Sequence, residues 1–302
     1  FEVLVRSPIL GAGLHMVSLP LVPRTPDPKE IFHFEGDKWA RWDPTRERQG
    51  GPGAYIFYSN DPEGYTRYEP PEEVPAKGYW AVFASDTKPT PNGVPVEQSE
   101  PFRIPLKPGW NMIGVPFLSP VAWDWEAIKV DDGSGNLLPL GEASHLVGAS
   151  AFGWDPAANG GEGAYYMVSD ASHVPDVRGY LAPWEGYWVL ATRECALILP
   201  GVEASPSKGG AIPRRAAPSR PEGGWIATLK VRAADRASEV KFGLAPRGWG
   251  RHGHVDMRVP LPPAPPGRPL RVSAYFLDTT GALPGTGARY VMDVRRGAPG
   301  RE

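Results

Sequence analysis

Apolar residues along this chain fall in short runs, many alternating with polar ones, and each run is cut by glycine, proline or acidic turn residues, the pattern of strands joined by tight turns. Residues 16–21 read as a strand stopped by Pro20, which has no amide to donate to a ladder. Residues 30–34 and 38–42 read as two short strands about the turn Glu35-Gly36-Asp37, a hairpin. A charged, glycine-containing loop over 46–53 leads to strands at 54–58 and 79–83, and residues 94–106 supply at least one more. Beyond residue 107 the same kind of pattern returns. There Trp123-Asp124-Trp125-Glu126-Ala127-Ile128 suits a single helical turn, and Asp131-Asp132-Gly133-Ser134-Gly135-Asn136 a hairpin turn. Residues 144–149 fit a short strand and a helical turn equally.

The return is ordered. Gly109-Trp110-Asn111-Met112-Ile113-Gly114-Val115-Pro116-Phe117 echoes Gly13-Leu14-His15-Met16-Val17-Ser18-Leu19-Pro20-Leu21. Trp42-Asp43-Pro44 comes back as Trp154-Asp155-Pro156, Gly53-Ala54-Tyr55 as Gly163-Ala164-Tyr165, and Gly78-Tyr79-Trp80 as Gly186-Tyr187-Trp188. Four landmarks in one order with unequal spacers predict two homologous β-rich modules of about 95 residues, placed at 1–106 and 107–201. Residues 202–223, rich in Gly, Pro and Arg, predict a linker. Residues 224–302, with alternating runs at 225–231, 238–243, 268–277 and 288–294, predict a small immunoglobulin-like β-sandwich. The fold class expected is all-β.

Composition supports that reading, since 36 glycines and 37 prolines in 302 residues would interrupt most helices, while 41% hydrophobic content supplies cores. A formal charge of −2 gives no field to gather nucleic acid. No apolar stretch is long enough for a spanning helix, so membrane insertion is not expected. Cys195 is alone, which excludes an internal disulfide and any cysteine-rich metal site. The start at Phe1, without an initiator methionine, suggests a processed or excerpted segment.

Pro108-Gly109-Trp110-Asn111-Met112-Ile113-Gly114-Val115-Pro116, followed by Glu185-Gly186-Tyr187-Trp188-Val189, resembles the paired PGWNLIG-P and GYWV signatures of β-rich modules near the C-termini of large secreted and cell-surface bacterial proteins. The segment from Trp225 through Phe242-Gly243, Asp256 and Pro262-Pro263 to Tyr275 is similar to the terminal β-sandwich of such exported proteins, some of them proteases. The first copy departs from the signature, with Leu14-His15 where the second has Trp110-Asn111. The resemblance implies an accessory region, extracellular or at the cell surface, and brings no catalytic residues with it.

Candidate chemistry is sparse. Asp43 and Asp155, each between Trp and Pro, suit turn carboxylates that accept backbone amides. Tyr79-Trp80 and Tyr187-Trp188 put adjacent aromatics on opposite strand faces, one toward a core and one toward solvent or a neighbouring domain. If the chain binds glycans, the platforms expected are Trp110, Trp125, Trp154 and Trp184 of the second module. His252, His254 and Asp256 form the one local ligand-type cluster, and the 131–136 turn has oxygens for calcium at most weakly, so no cofactor is expected. Nucleophile elbow, HExxH, phosphate-loop and dinucleotide motifs are all missing, which leaves dispersed groups such as Ser144, His145 and Asp170. The duplicated β units and the missing catalytic motifs favour a non-catalytic structural or protein-interaction region, and the resemblance implies that it belongs to an exported bacterial surface or filament protein, whose partners are other surface or extracellular proteins or further copies of itself. The alternative is a carbohydrate-binding accessory module of a secreted enzyme.

Overall fold

Glycine and proline cut the chain into strands of two to ten residues, nearly all paired antiparallel. The computed structural model describes residues 5–25, 27–36, 38–48, 51–58, 72–170, 177–202, 225–233, 236–245, 257–260, 262–267, 276–277 and 289–296. The protein is all-β with several antiparallel sheets, and it divides into two compact units, Phe1–Asp170 with Arg178–Pro213, and Ala171–Val177 with Arg214–Glu302.

In the first unit one sheet runs in the order β1 (Gly13–Ser18), β5 (Gly78–Phe83), β3 (Trp39–Arg48), β4 (Gly51–Phe57). A second runs β8 (Gly109–Ile113), β15 (Tyr187–Ala191), β12 (Ala151–Asp155), β13 (Ala164–Val168). The registers correspond as well as the orders. Met16 pairs with Trp80 and Met112 with Trp188; Trp42 pairs with Tyr55 and Trp154 with Tyr165; Ala40 meets Trp80 where Phe152 meets Trp188. A third sheet, β11 (Leu137–Pro139), β10 (Lys129–Asp131), β16 (Cys195–Leu199), β7 (Phe102–Leu106), backs the second. Residues 102–106 are thus paired with 195–199, so the expected boundary at 106/107 falls between two strands that both belong to the second half. Two small ladders complete the unit, β2 (Val22–Pro23) with β6 (Gly93–Val94) and β9 (Val121–Ala122) with β14 (Tyr180–Leu181).

The strands β5 and β15 are covered on both faces. Tyr79 packs with Val17, Phe32, Phe34 and Trp39 in one core, and Tyr187 with Leu106, Phe117, Trp123 and Leu197 in another. Trp80 and Trp188, on the opposite faces, are equally buried. Neither faces solvent, because the first two sheets turn their aromatic faces toward each other.

Local chemistry corrects two expectations and decides a third between its alternatives. Residues 30–34 are not a strand: Pro28–Phe32 forms a helix, α1, whose N-cap Asp27 accepts the Lys29 amide, with Pro28 at the first position and His33 closing the end in a left-handed conformation. Of the expected 46–53 loop, residues 46–48 continue β3 and 51–53 begin β4, Glu47 pairing with Pro52 and Arg48 with Gly51 after a register shift between Asp43 and Glu47; residues 49 and 50 lie outside the described residues. Over 144–149 the ambiguity resolves as a helical turn, Leu146 and Val147 amides donating to the Ala143 carbonyl, before Val147 bridges to Ala191. The single turn near Trp125 is present, with the Ile128 amide bonded to the Asp124 carbonyl.

In the second unit the described strands β17 (Trp225–Ala233), β18 (Arg236–Ala245), β19 (Met257–Pro260), β20 (Phe276–Leu277) and β21 (Arg289–Arg296) form one sheet. Its β18–β21 pair is parallel and the others antiparallel. The expected linker, apart from Val202, and most of the expected 268–277 strand lie outside the described residues.

Candidate functional site

The repeated landmarks meet where the first two sheets face each other. Trp42 stands edge-on to Trp188 at 5.2 Å, and Trp80 edge-on to Trp154 at 5.3 Å, so each half lends a tryptophan to the other's. Tyr55 packs on Trp42 at 4.8 Å and Tyr165 on Trp154 at 5.0 Å. Such edge-to-face pairs suit the quadrupoles of the rings. Gly53 and Gly163 explain why the Gly-Ala-Tyr motif starts with glycine: a Cβ at either would lie 2.1 Å from Cζ2 of the tryptophan covering it. At Gly78 a Cβ would lie 2.7 Å from the Ile113 carbonyl oxygen, and at Gly186 2.8 Å from that of Val17. The strands cross there closely enough for reciprocal backbone bonds, Gly114 amide to Ala76 carbonyl and Ser18 amide to Trp184 carbonyl, both 2.9 Å.

The four tryptophans expected as ligand platforms therefore separate into two pairs. Trp154 is 8% exposed and Trp184 4%, and neither can offer a ring face without opening a core. Trp184 enters the core of the first half, edge-on to Phe32, and Ala76, which occupies the corresponding place before Gly78, enters the core of the second. Trp110 and Trp125 are half-buried. The Trp110 ring lies edge-on to Phe152 and Trp188 and its carbonyl accepts the Trp42 indole N–H at 2.7 Å, while Trp125 donates its own indole N–H to the Ala149 carbonyl. The structure does not gather the four at one surface.

Beside this interface lies a cleft of about 320 Å³ that no signal in the sequence marked out. The bulged part of β3, the turn 74–76 leading into β5, and the strands β7 and β8 enclose it. Its apolar lining includes Ile104, Met112 and Ile113, and its charged groups are Arg41, Asp43, Glu73, Lys77 and Lys107. Asp43 Oδ1 accepts the Thr45 amide and hydroxyl, at 2.9 and 2.7 Å, the turn role expected of it, and Asp155 Oδ1 accepts the Ala157 amide likewise. Asn111, also in the lining, accepts the Lys107 amide and donates to the Lys107 and Gly109 carbonyls. His15, its counterpart, reaches the Gly11 carbonyl, again four residues back. Burial holds the His15 imidazole below its ordinary range, against the raising effects of that carbonyl and of Glu185.

The corresponding position in the second half is filled. Arg41 is replaced there by Gly153, and the Tyr166 ring lies where a Cβ of Gly153 would point, with atoms as close as 2.2 Å. Lys77 is replaced by Glu185, whose Oε2 accepts from Arg178 Nη1 at 2.7 Å, from the Tyr187 hydroxyl at 2.9 Å and from the Tyr166 hydroxyl. Arg178 also stacks over Tyr166, 4.1 Å from the ring centre. Burial, together with the neighbouring carboxylate, raises both phenols above their ordinary range, so they remain protonated donors.

Other candidate groups are occupied structurally. Asp132 accepts the Ser134 amide and hydroxyl and the Asn136 side chain, bonds that pull its carboxyl down to about 2 and close the 131–136 turn on itself. Among the described residues no group of three or more His, Cys, Asp or Glu is placed to hold a metal ion; His252, His254 and Asp256 lie outside them. Asp170 accepts the Trp125 amide, while Ser144 and His145 are exposed in the turn before Leu146. Cys195 is buried in β16, where burial raises its thiol. No described helix is long and apolar enough to cross a membrane. No protein-family profile, curated protein or solved structure matches the chain.

Proposed function

We propose that the chain is a non-catalytic structural or protein-interaction region of an exported bacterial surface or filament protein. On this reading it contains two copies of one β module followed by a small immunoglobulin-like sandwich. The observation that carries the reading is the reciprocal packing of Trp42 on Trp188 and Trp80 on Trp154. The repeated aromatics, the groups with most chemical potential in the sequence, are consumed in holding the halves together, which suits a stiff unit and not a reaction centre. Its partners are other surface or extracellular proteins or further copies of the chain.

Fractionation of the source cells with an antibody to the chain, combined with protease treatment of intact cells, tests this directly. The reading expects the chain outside the cytosol and accessible to protease, and confinement to the cytosol would overturn it. The half-buried state of Trp110 and Trp125 supports a second reading, a carbohydrate-binding accessory module, on those two rings alone. A glycan array probed with the intact chain and with folded Trp110→Ala and Trp125→Ala variants separates the two: a retained sugar lost in either variant favours the second reading.

A further inference from the structure

We propose that Asn159, at the tip of the β12–β13 hairpin, is a self-modifying site, where the Gly160 amide nitrogen attacks the Asn159 side-chain amide and turns asparagine into aspartate and isoaspartate. Water is the only co-reactant. The Gly160 nitrogen bonds to Asn159 Cγ, the Cγ–Nδ2 bond breaks, and Nδ2 leaves as ammonia, taking the Gly160 amide proton. Water then opens the cyclic imide. Addition at Cγ restores the main chain and leaves aspartate, while addition at the backbone carbonyl carbon leaves isoaspartate, with the main chain rerouted through the side chain. A following glycine favours the attack, because it has no Cβ to crowd its own nitrogen.

Asn92–Gly93 and Asn159–Gly160 are the two Asn-Gly peptides of the chain, and Asp132–Gly133 is its one Asp-Gly. The fold restrains two of the three. Gly93 lies in the β2–β6 ladder, where a Cβ would stand 2.1 Å from the Val22 carbonyl oxygen, and the Asn92 carbonyl accepts the Arg24 amide at 2.9 Å. At Asp132 the nitrogen that would attack, that of Gly133, already donates to Asp131 Oδ1 at 2.8 Å, and bonds from Ser134 and Asn136 keep Asp132 ionised, a poor electrophile. The turn between β12 and β13 is held less firmly. Asn159, Gly160 and Gly161 follow one another at φ 52°, 67° and 93°, and a left-handed backbone is costly for a residue with a Cβ. Gly160 and Gly161 are exposed, and a Cβ at either would meet nothing within 4 Å. A single turn leaves its leading amides without an intrahelical carbonyl, so no helix rung fixes the Gly160 nitrogen. At ψ 42° that nitrogen points away from Cγ, and ring closure requires the peptide after Asn159 to rotate. Two of the bonds that resist the rotation are long, Glu162 amide to Asn159 carbonyl at 3.4 Å and Asn159 Nδ2 to Gly163 carbonyl at 3.3 Å; Gly163 amide to Ala158 carbonyl, at 2.9 Å, is the short one. The product changes the turn. Its new carboxylate cannot donate to Gly163 and joins the exposed Asp155 and Glu162, next to the glycine whose backbone seats the Trp154 ring.

The test is prolonged incubation of the folded whole chain in mildly alkaline buffer, with peptide mass spectrometry to locate the conversion and an isoaspartate-specific methyltransferase to count the rerouted product. The expected result is conversion at Asn159 about tenfold faster than at Asn92, quickening as the pH rises because the attacking nitrogen must lose its proton. In urea the two sites should convert at similar rates, since the difference between them comes from the fold. Gly160→Ala should slow the reaction about tenfold, and Asn159→Gln should abolish it at this place. Asn159→Asp, which copies one product, should melt at a lower temperature than the unmodified chain. Three outcomes overturn the proposal: a folded chain in which Asn159 converts no faster than Asn92, a preference for Asn159 that persists undiminished in urea, or a rate that Gly160→Ala leaves unchanged in a variant whose near-ultraviolet circular dichroism is that of the native chain. The reaction belongs to the chain itself, so localisation of the protein bears on the proposed function and leaves this inference untouched.

Discussion

Replacing Gly186 with alanine probes the crossing of the two halves with a single carbon. The new Cβ would sit 2.8 Å from the Val17 carbonyl oxygen and 3.3 Å from its nitrogen, both backbone atoms that cannot rotate aside. Carbon–oxygen contacts settle at about 3.3–3.6 Å, so the strands must part by about half an ångström. That strains the bonds made at the crossing, Gly186 amide to Met16 carbonyl at 3.1 Å and Ser18 amide to Trp184 carbonyl at 2.9 Å. Overpacking of this kind costs about 1–3 kcal/mol and a weakened hydrogen bond about 1 more, against a gain of about 0.4–1 from the stiffer unfolded chain. The net expectation is a loss of about 2–3 kcal/mol, or about 5–10 °C in Tm for a unit of this size. Gly78→Ala should cost the same, since its Cβ would lie 2.7 Å from the Ile113 oxygen. The double variant should cost about 1 kcal/mol less than the two single losses together, because each Cβ would lie 3.4 Å from the other glycine's Cα and one separation relieves both. Gly179→Ala, with nothing within 4 Å, is the control and should be neutral or slightly stabilising. Urea denaturation followed by tryptophan fluorescence measures all four. A Gly186→Ala protein as stable as Gly179→Ala would refute the close crossing and the interlock built on it.

Trp80→Ala and Trp188→Ala each remove a ring that is at most 1% exposed and should each cost about 3–5 kcal/mol in the same assay; losses under about 1 kcal/mol would contradict the shared aromatic layer. His15 is held below its unfolded value near 6.5, so the unfolded chain binds more protons as the pH falls through that value, and stability should decline on acidification until the folded imidazole also protonates. His15→Asn, which copies Asn111, should flatten that part of the stability–pH curve measured by thermal melts, and an unchanged slope would count against His15 as its source. Cys195, buried and with a raised thiol, should react with a thiol reagent only as fast as the protein unfolds, and rapid labelling of the folded chain would contradict its burial.

The strands and the paired landmarks were legible because they are local or repetitive: alternation marks β5 and β15, and four motifs recur in order. How the first two sheets meet was not legible. Alternation places Trp80 and Trp188 opposite Tyr79 and Tyr187, yet whether that second face meets water or another sheet is decided by residues far away in sequence. The α1 helix was missed for another reason. Residues 30–34 alternate acceptably for a strand, and the deciding signal lay just before them, in Asp27 as a cap and Pro28 with its fixed φ. The cleft was invisible because it depends on differences between corresponding positions, Arg41 against Gly153 and Lys77 against Glu185, whereas a recurring pattern shows only what such positions share.

Trp184 shows how far those differences matter. As a tryptophan after proline and before Glu-Gly-Tyr-Trp it reads as a loop aromatic able to stack on a ligand. Its backbone instead adopts φ 70°, a left-handed conformation that a bulky side chain enters only at a cost of about 1–3 kcal/mol. Such a conformation persists only where the surroundings impose it. Here the Trp184 carbonyl is held by the Ser18 amide of the other half, and the ring is driven into the other half's core against Phe32. Burial of a ring that size returns more than the strain takes away. Ala76, in the corresponding place, enters the second core with no ring to bury and leaves room beside Lys77, where the cleft opens. The exchange of a large residue for a small one at this place therefore adds to those of Gly153 for Arg41 and Glu185 for Lys77 in setting the two corresponding positions apart.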